Sequence, residues 1–218
     1  MNIPSLFNNL STKLSLLKEK LAIENSTNSF NINLHLENVY IKILNEVYDL
    51  NLINTNSISL NYPGIDAIDK ERGIGIQITS TFSKEKILNT IKQCIDNKIY
   101  EEFNHLQFFF LKDVKRLNMA TVSQINKACE NKIDLIIEDH LLDSNSIYQK
   151  LYYENDIIKL NKVITLLDEF LGTLPLDKTS SFASIAISFD DDDESENTYN
   201  LIDIILRQGI NVYIESES

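Results

Sequence analysis

A carboxylate stands where this chain can least accommodate one, and it constrains the fold more than any other feature. Asn33 to Leu50 has the periodicity of an amphipathic helix. At about 100° per residue, His35, Asn38, Lys42, Asn45, Glu46 and Asp49 fall in one arc of roughly 100°. Leu34, Leu36, Val39, Tyr40, Ile41, Ile43, Leu44, Val47, Tyr48 and Leu50 fill the rest. Glu37 lies inside that apolar arc, on the stripe between Leu34 and Ile41. A carboxylate facing a core is costly unless it is paired, protonated or bound to a metal. Whatever fold forms must therefore bring Glu37 a partner.

The next residues offer one. Ser57 to Tyr62 alternates, with Ile58, Leu60 and Tyr62 on one side, which predicts a half-buried strand. Pro63-Gly64 interrupts the ladder, and a kink there re-aims the side chains that follow. Asp69 to Gly73 reads as a polar turn. From Gly73 the alternation resumes, with Ile74, Ile76 and Ile78 on one face and Gly75, Gln77 and Thr79 on the other. The two runs predict a hairpin on which Asp66 and Gln77 converge. Ser83 is a candidate N-cap, which puts Lys84 and Lys86 in the first turn of the following helix. Cations there oppose the helix macrodipole, so two lysines beside an anion-attracting helix start read as a phosphate site.

An acidic residue on a first helix, then Pro-Gly-Ile-Asp66, then Gln77-x-Thr79-Ser80 leading into a helix, resembles the PD-(D/E)XK nuclease superfamily. More narrowly the chain resembles the SMEK domain of bacterial conflict proteins. Glu37, Asn38, Leu44, Asn45, Asn61, Pro63, Gly64, Ile65, Asp66, Gln77, Thr79, Ser80, Lys86 and Ile87 carry the match, over roughly Met1 to Gly172. The resemblance implies a metal-dependent phosphodiesterase acting on nucleic acid, DNA foremost, in antiphage defence, with partner proteins of a defence system. Glu37, Asp66 and Gln77 would be the helix acid, the strand aspartate and the (Glu/Gln)-x-Lys position. With the Ile78 carbonyl they would hold Mg²⁺ or Mn²⁺, hard cations that take oxygen ligands. The superfamily's lysine would stand where this chain has Thr79, and threonine carries no charge. Lys86, with Lys84 second, is the candidate substitute.

Each residue also has a structural reading. Glu37 could be bonded to backbone amides or to Arg72, Asp66 could cap a turn, Gln77 could be an ordinary strand residue, and Lys84 and Lys86 could be surface lysines. Asp69 reads as turn surface and Glu46 as part of the solvated helix face. A nuclease, and a nuclease-like fold without catalysis serving as an interaction module, both stay open: the acids favour the first and Thr79 the second.

The net charge of −12 opposes a nucleic-acid partner, but its distribution softens the objection. Residues 177–218 hold ten acids against Lys178 and Arg207, a net of −8, leaving −4 for the rest. Lys84 to Lys132 has nine basic residues against six acidic, a net of +3. A hydrophobic fraction of 43% with five glycines and three prolines describes a chain that folds. The sequence has no apolar run long enough to span a membrane and no signal-peptide plan. Cys94 and Cys129 read as buried thiols of a reducing, cytoplasmic setting, and His35, His105 and His140 as structural.

The remaining elements predict a restriction-endonuclease-like α/β/α sandwich with a mixed central sheet, plus a C-terminal βαβ unit. Ser5 to Ile23 is expected to be a helix with Leu6, Leu10, Leu14, Leu17 and Leu21 on its buried stripe, a homo-oligomer contact being the alternative. Ser83 to Phe103 is expected to be helical, His105 to Leu111 a buried central strand, Val122 to Asn131 a helix and Ile133 to Ile137 a strand. Ser144 to Tyr153 and Asp156 to Leu171 complete a nuclease-like domain of residues 1–172. A linker, 173–181, leads to residues 182–218: a strand at Ile185 to Phe189, an acidic run at Asp190 to Glu196, a helix at Thr198 to Gln208 and a strand at Ile210 to Ile214. This last unit weakly resembles the opening of a TIR-type domain.

Overall fold

The structure, a computed structural model, describes residues 2–26, 31–173, 185–189 and 212–216. It divides into two compact units, Met1–Thr173 and Leu174–Ser218. The first is an α/β sandwich around a five-stranded mixed sheet.

Two long helices open it, α1 (Ile3–Ser26) and α2 (Asn31–Tyr48). The leucine stripe of α1 does bury: Leu6, Leu10, Leu14, Leu17 and Leu21 are all core residues. The sheet follows, as β1 (Ile53–Asn54), β2 (Ala67–Asp69), β3 (Ile74–Thr79), β4 (His105–Phe110) and β5 (Leu141–Leu142), in that spatial order. The β1–β2 and β2–β3 pairs are antiparallel, while β3–β4 and β4–β5 are parallel. Between and after the strands come α3 (Lys84–Asp96), α4 (Met119–Ala128), the short α5 (Ile137–His140), α6 (Ser144–Glu154) and α7 (Ile157–Thr173).

The Phe-Phe-Phe run of β4 shows how the layers form. Side chains alternate across a strand, so Leu106, Phe108 and Phe110 enter one core with Ile87, Ile91 and Cys94 of α3 and Ile125 of α4. Phe109 faces the opposite way and meets the Tyr40 ring of α2 at 4.5 Å between centroids. The α1, α2, α6 and α7 helices pack together in the second layer. With both faces covered, the central strand is an apolar run, as parallel sheets require. Two glycines make close approaches possible. A Cβ on Gly75 would lie 2.7 Å from the Phe103 ring; one on Gly64 would lie 2.6 Å from Cys94 Sγ, and Gly64 also has φ +82°.

Several expectations need correction. Ser57 to Tyr62 is not a strand: Asn54 caps a 3-10 turn, Thr55–Ser57, by accepting from the Asn56 N–H, and the chain stays irregular to Asp66. Ile58 and Leu60 are exposed there, Leu60 at 84%. The hairpin is β2–β3, pairing Ala67 with Ile76 and Asp69 with Ile74. Asp69 is not turn surface but buried, accepting from the Asn51 N–H at 2.7 Å and the Arg72 N–H at 3.0 Å. Ile133 to Ile137 forms only a single bridge, His105 to Asp134, and the fifth strand is Leu141–Leu142. The helix expected to run to Phe103 ends at Asp96, where Asn97 and left-handed Lys98 lead into a 3-10 turn. Glu46 pairs with Lys162 at 2.9 Å. Both cysteines are buried free thiols, pushed by burial up to about 12 for Cys94 and about 11 for Cys129.

The second unit contains β6 (Ile185–Phe189) and β7 (Val212–Ser216), paired in parallel. The first matches its expected span and the second begins two residues later than expected. The acidic run and the helix at Thr198 to Gln208 lie outside the described residues. Among the described residues no helix is long and apolar enough to cross a membrane.

Candidate active site

Asp66 stands immediately before β2 and extends its ladder by one residue. Its N–H donates to the Ile76 carbonyl at 2.8 Å, and its carbonyl accepts from the Thr55 N–H at 2.9 Å. The peptide is thus held from both sides, although the run before it is irregular. Its carboxylate turns onto β3: Oδ2 accepts from the Ile78 N–H at 2.7 Å and from Gln77 Nε2. Gln77 Nε2 also donates to the Ile78 carbonyl at 3.1 Å, and the Gln77 side chain is buried.

Glu37 reaches the same place from α2. It is half-buried, and its carboxyl has no hydrogen-bond or ion-pair partner among the described residues. The expected alternative partner, Arg72, instead donates to the Tyr48 carbonyl. Burial first, then the charge of Asp66, pushes the Glu37 carboxyl up to about 7, against the opposing pull of Lys86. Burial likewise raises Asp66 to about 6, opposed by the Ile78 N–H and by Lys86. Two acids and one lysine therefore share one electrostatic environment, contributed by α2, the β2 start and the first turn of α3.

Lys86 is positioned by the cap that the sequence indicates. Ser83 Oγ accepts from the Lys86 N–H at 3.1 Å and starts α3. Thr79, two residues after Gln77, uses its hydroxyl locally, accepting from the Thr81 N–H at 3.2 Å.

The donor set suits a hard divalent cation in part. Two carboxylates and the Ile78 carbonyl offer oxygens, and the raised carboxyls are what an added positive charge would relieve. Gln77 departs from the expected ligand set, because its amide nitrogen rather than its oxygen faces Asp66 Oδ2 and the Ile78 carbonyl. Ligation by Gln77 would need a half-turn of the amide, which exchanges nitrogen for oxygen at constant shape. Among the described residues no group of three or more His, Cys, Asp or Glu side chains converges as a metal cluster. The fit therefore rests on Glu37, Asp66 and the Ile78 carbonyl.

Other residues of the resemblance serve architecture. Asn45 reads the Leu52 backbone on both sides, with Nδ2 donating to its carbonyl at 3.1 Å and Oδ1 accepting from its N–H at 2.7 Å. Asn38 Oδ1 accepts from Asn54 Nδ2 at 2.8 Å. These bonds tie α2 to β1 and so hold Glu37 over the sheet. Asn61 takes a positive φ of 59° in the loop leading to Pro63. His140 Nδ1 accepts from the Ile136 N–H at 3.1 Å and His105 Nδ1 pairs with Asp134 at 2.8 Å, which are structural roles. Lys112, Lys115 and Arg116 lie outside the sequence motif; their signal is a basic cluster directly after a buried parallel strand.

A groove of about 960 Å³ lies beside that cluster and not over Asp66. A family model for the SMEK domain matches residues 9–152. No curated protein and no solved structure matches the chain. The matched span holds α2, the whole five-stranded sheet and all of the residues just described, and the chain belongs to the SMEK domain family.

Proposed function

We propose that the chain is a metal-dependent nuclease of the PD-(D/E)XK type, its sandwich a restriction-endonuclease-like one, which hydrolyses nucleic-acid phosphodiester bonds, with DNA as the first substrate to test. The observation that carries this reading is that Asp66, Gln77 and the Ile78 backbone hydrogen-bond together at one end of the sheet, within electrostatic reach of Glu37 and Lys86. Mg²⁺ or Mn²⁺ held by Glu37, Asp66 and the Ile78 carbonyl would polarise a phosphate and lower the pKa of an attacking water. Asp66 is fixed for this by the Ile78 N–H. Lys86 supplies the positive charge that Thr79 cannot, at the start of a helix whose dipole also favours phosphate. The proposed setting, antiphage defence alongside partner proteins, rests on the resemblance alone.

A second reading, a nuclease-like fold that binds without cutting, is favoured by Thr79 and by the Gln77 nitrogen turned toward the acceptors. Incubation with plasmid, linear duplex, single-stranded DNA and RNA in Mg²⁺, Mn²⁺ and EDTA separates the two. Cleavage that needs the metal and disappears in Asp66→Asn supports the nuclease; intact substrates under every condition leave the binding module.

A further inference from the structure

The C-terminal ends of β3 and β4 lie side by side, because the strands are parallel and Thr79 is in register with Phe110. The chain leaves that edge twice, through Ser80–Ser83 into α3 and through Leu111–Asn118 into α4. The Phe82 and Phe110 rings join the two exits at 4.9 Å. Asp66 pairs beside this edge as well, since β2 runs antiparallel to β3. In α/β sheets, ligands are taken up outside the carboxyl ends of parallel strands.

The edge is rich in cations. Among the described residues seven lysines have ion-pair partners: Lys13, Lys18, Lys70, Lys132, Lys150, Lys159 and Lys162. Among the described residues Lys84, Lys112, Lys115 and Arg116 have neither an ion pair nor a side-chain hydrogen bond, and Lys86 acts only through space on Glu37 and Asp66. Two acids near Lys112 to Arg116 are engaged elsewhere. Asp113 is held by Lys18 and Asn145, and Asp143 accepts from the Val114 N–H and caps α6. Glu85 is exposed on α3 and Glu138 lines the groove. Beside Lys115 and Arg116 the groove has an aliphatic floor of Leu117, Met119, Val122 and Ile137, with Met119 89% exposed.

From this edge we infer the substrate class for the nuclease reading, on which the inference rests: a nucleic-acid segment with unpaired bases. Its phosphates lie along Lys112, Lys115 and Arg116 toward Lys84, and a base covers the aliphatic floor beside the Arg116 guanidinium. A closed duplex would offer this rim only phosphates, whereas a single strand offers phosphates and base faces together.

Anisotropy titration of a short fluorescein-labelled single strand and the matching duplex, in EDTA at several salt concentrations, tests it. The single strand is expected to bind more tightly than the duplex. Lys115→Ala/Arg116→Ala should weaken single-strand binding about ten-fold at low salt, and should flatten the log–log salt dependence by about 1.4, two phosphates at roughly 0.7 each. Met119→Glu, at an exposed position, should weaken it independently. Preferred duplex binding, no binding by the wild type, or an unchanged affinity and salt slope in the double variant would overturn the inference. Binding that behaves as expected without cleavage under any metal would sink the nuclease reading and keep the rim only as a single-strand binding surface.

Discussion

Asp66 Oδ2 accepts the Ile78 N–H at 2.7 Å, so a side chain from the start of one strand is locked to the backbone of the next. A main-chain donor cannot swing away, and it favours the ionised carboxylate against the burial that opposes it. Asp66→Asn should therefore keep the fold and lose the ionised oxygen. The expected outcome is loss of metal-dependent cleavage with an unchanged circular-dichroism spectrum; full activity in this variant would remove Asp66 from the site.

Stability should fall with rising pH at this site. Glu37 and Asp66 titrate higher when folded, at about 7 and about 6, than their ordinary values of 4.5 and 3.8. The folded protein then holds protons that the unfolded chain releases, so the stabilising contribution is whole below about 3.8 and is lost as pH rises through about 7. Thermal melts in EDTA from pH 5 to pH 8 should show a falling midpoint, and Glu37→Gln should flatten the fall. About 1 kcal/mol moves the midpoint roughly 2–4 °C in a chain of this size. Added Mn²⁺ should restore the midpoint at pH 8, by about 2.7 kcal/mol at a hundred times its dissociation constant.

Lys86 lowers both acids, so Lys86→Ala should raise them further. Cleavage is expected to slow by about ten-fold or more, by analogy with removing one charge-stabilising donor, and the alkaline rise of its pH profile should move upward. An unchanged rate and profile would return the role to Lys84.

Gly64→Ala should destabilise the protein for two separable reasons. Its φ of +82° disfavours any side chain, and the new methyl would fall 2.6 Å from Cys94 Sγ. The expected cost is about 1–3 kcal/mol, read by chemical denaturation. Adding Cys94→Ala should recover part of it, because the contact goes while the backbone strain stays.

Thr90 offers the opposite case. Its hydroxyl is buried and has no hydrogen-bond partner among the described residues. Thr90→Val keeps the shape and removes an unsatisfied polar group, so it should raise stability by about 1 kcal/mol or more. A lower melting midpoint would show that the hydroxyl has a partner such as water.

Much of this was legible in the residues themselves. Periodicity marked the buried stripe of α1, the face of α2 that carries Glu37, and the central strand at Phe108–Phe110, because the side-chain repeat of an element is local. Ser83 marked the start of α3 for the same reason, since a cap acts within three residues. The tertiary structure decided what local pattern cannot encode. Ile58, Leu60 and Tyr62 alternate like a strand, yet no strand among the described residues pairs with them, and a capped turn takes the chain instead. Asp69 looks like a turn residue until the Asn51 backbone arrives from eighteen residues away to bury it. The basic rim forms only because parallel pairing sets the exits of β3 and β4 side by side. Alternation tells a side chain which way to face, and only the partners that fold against it determine what it meets.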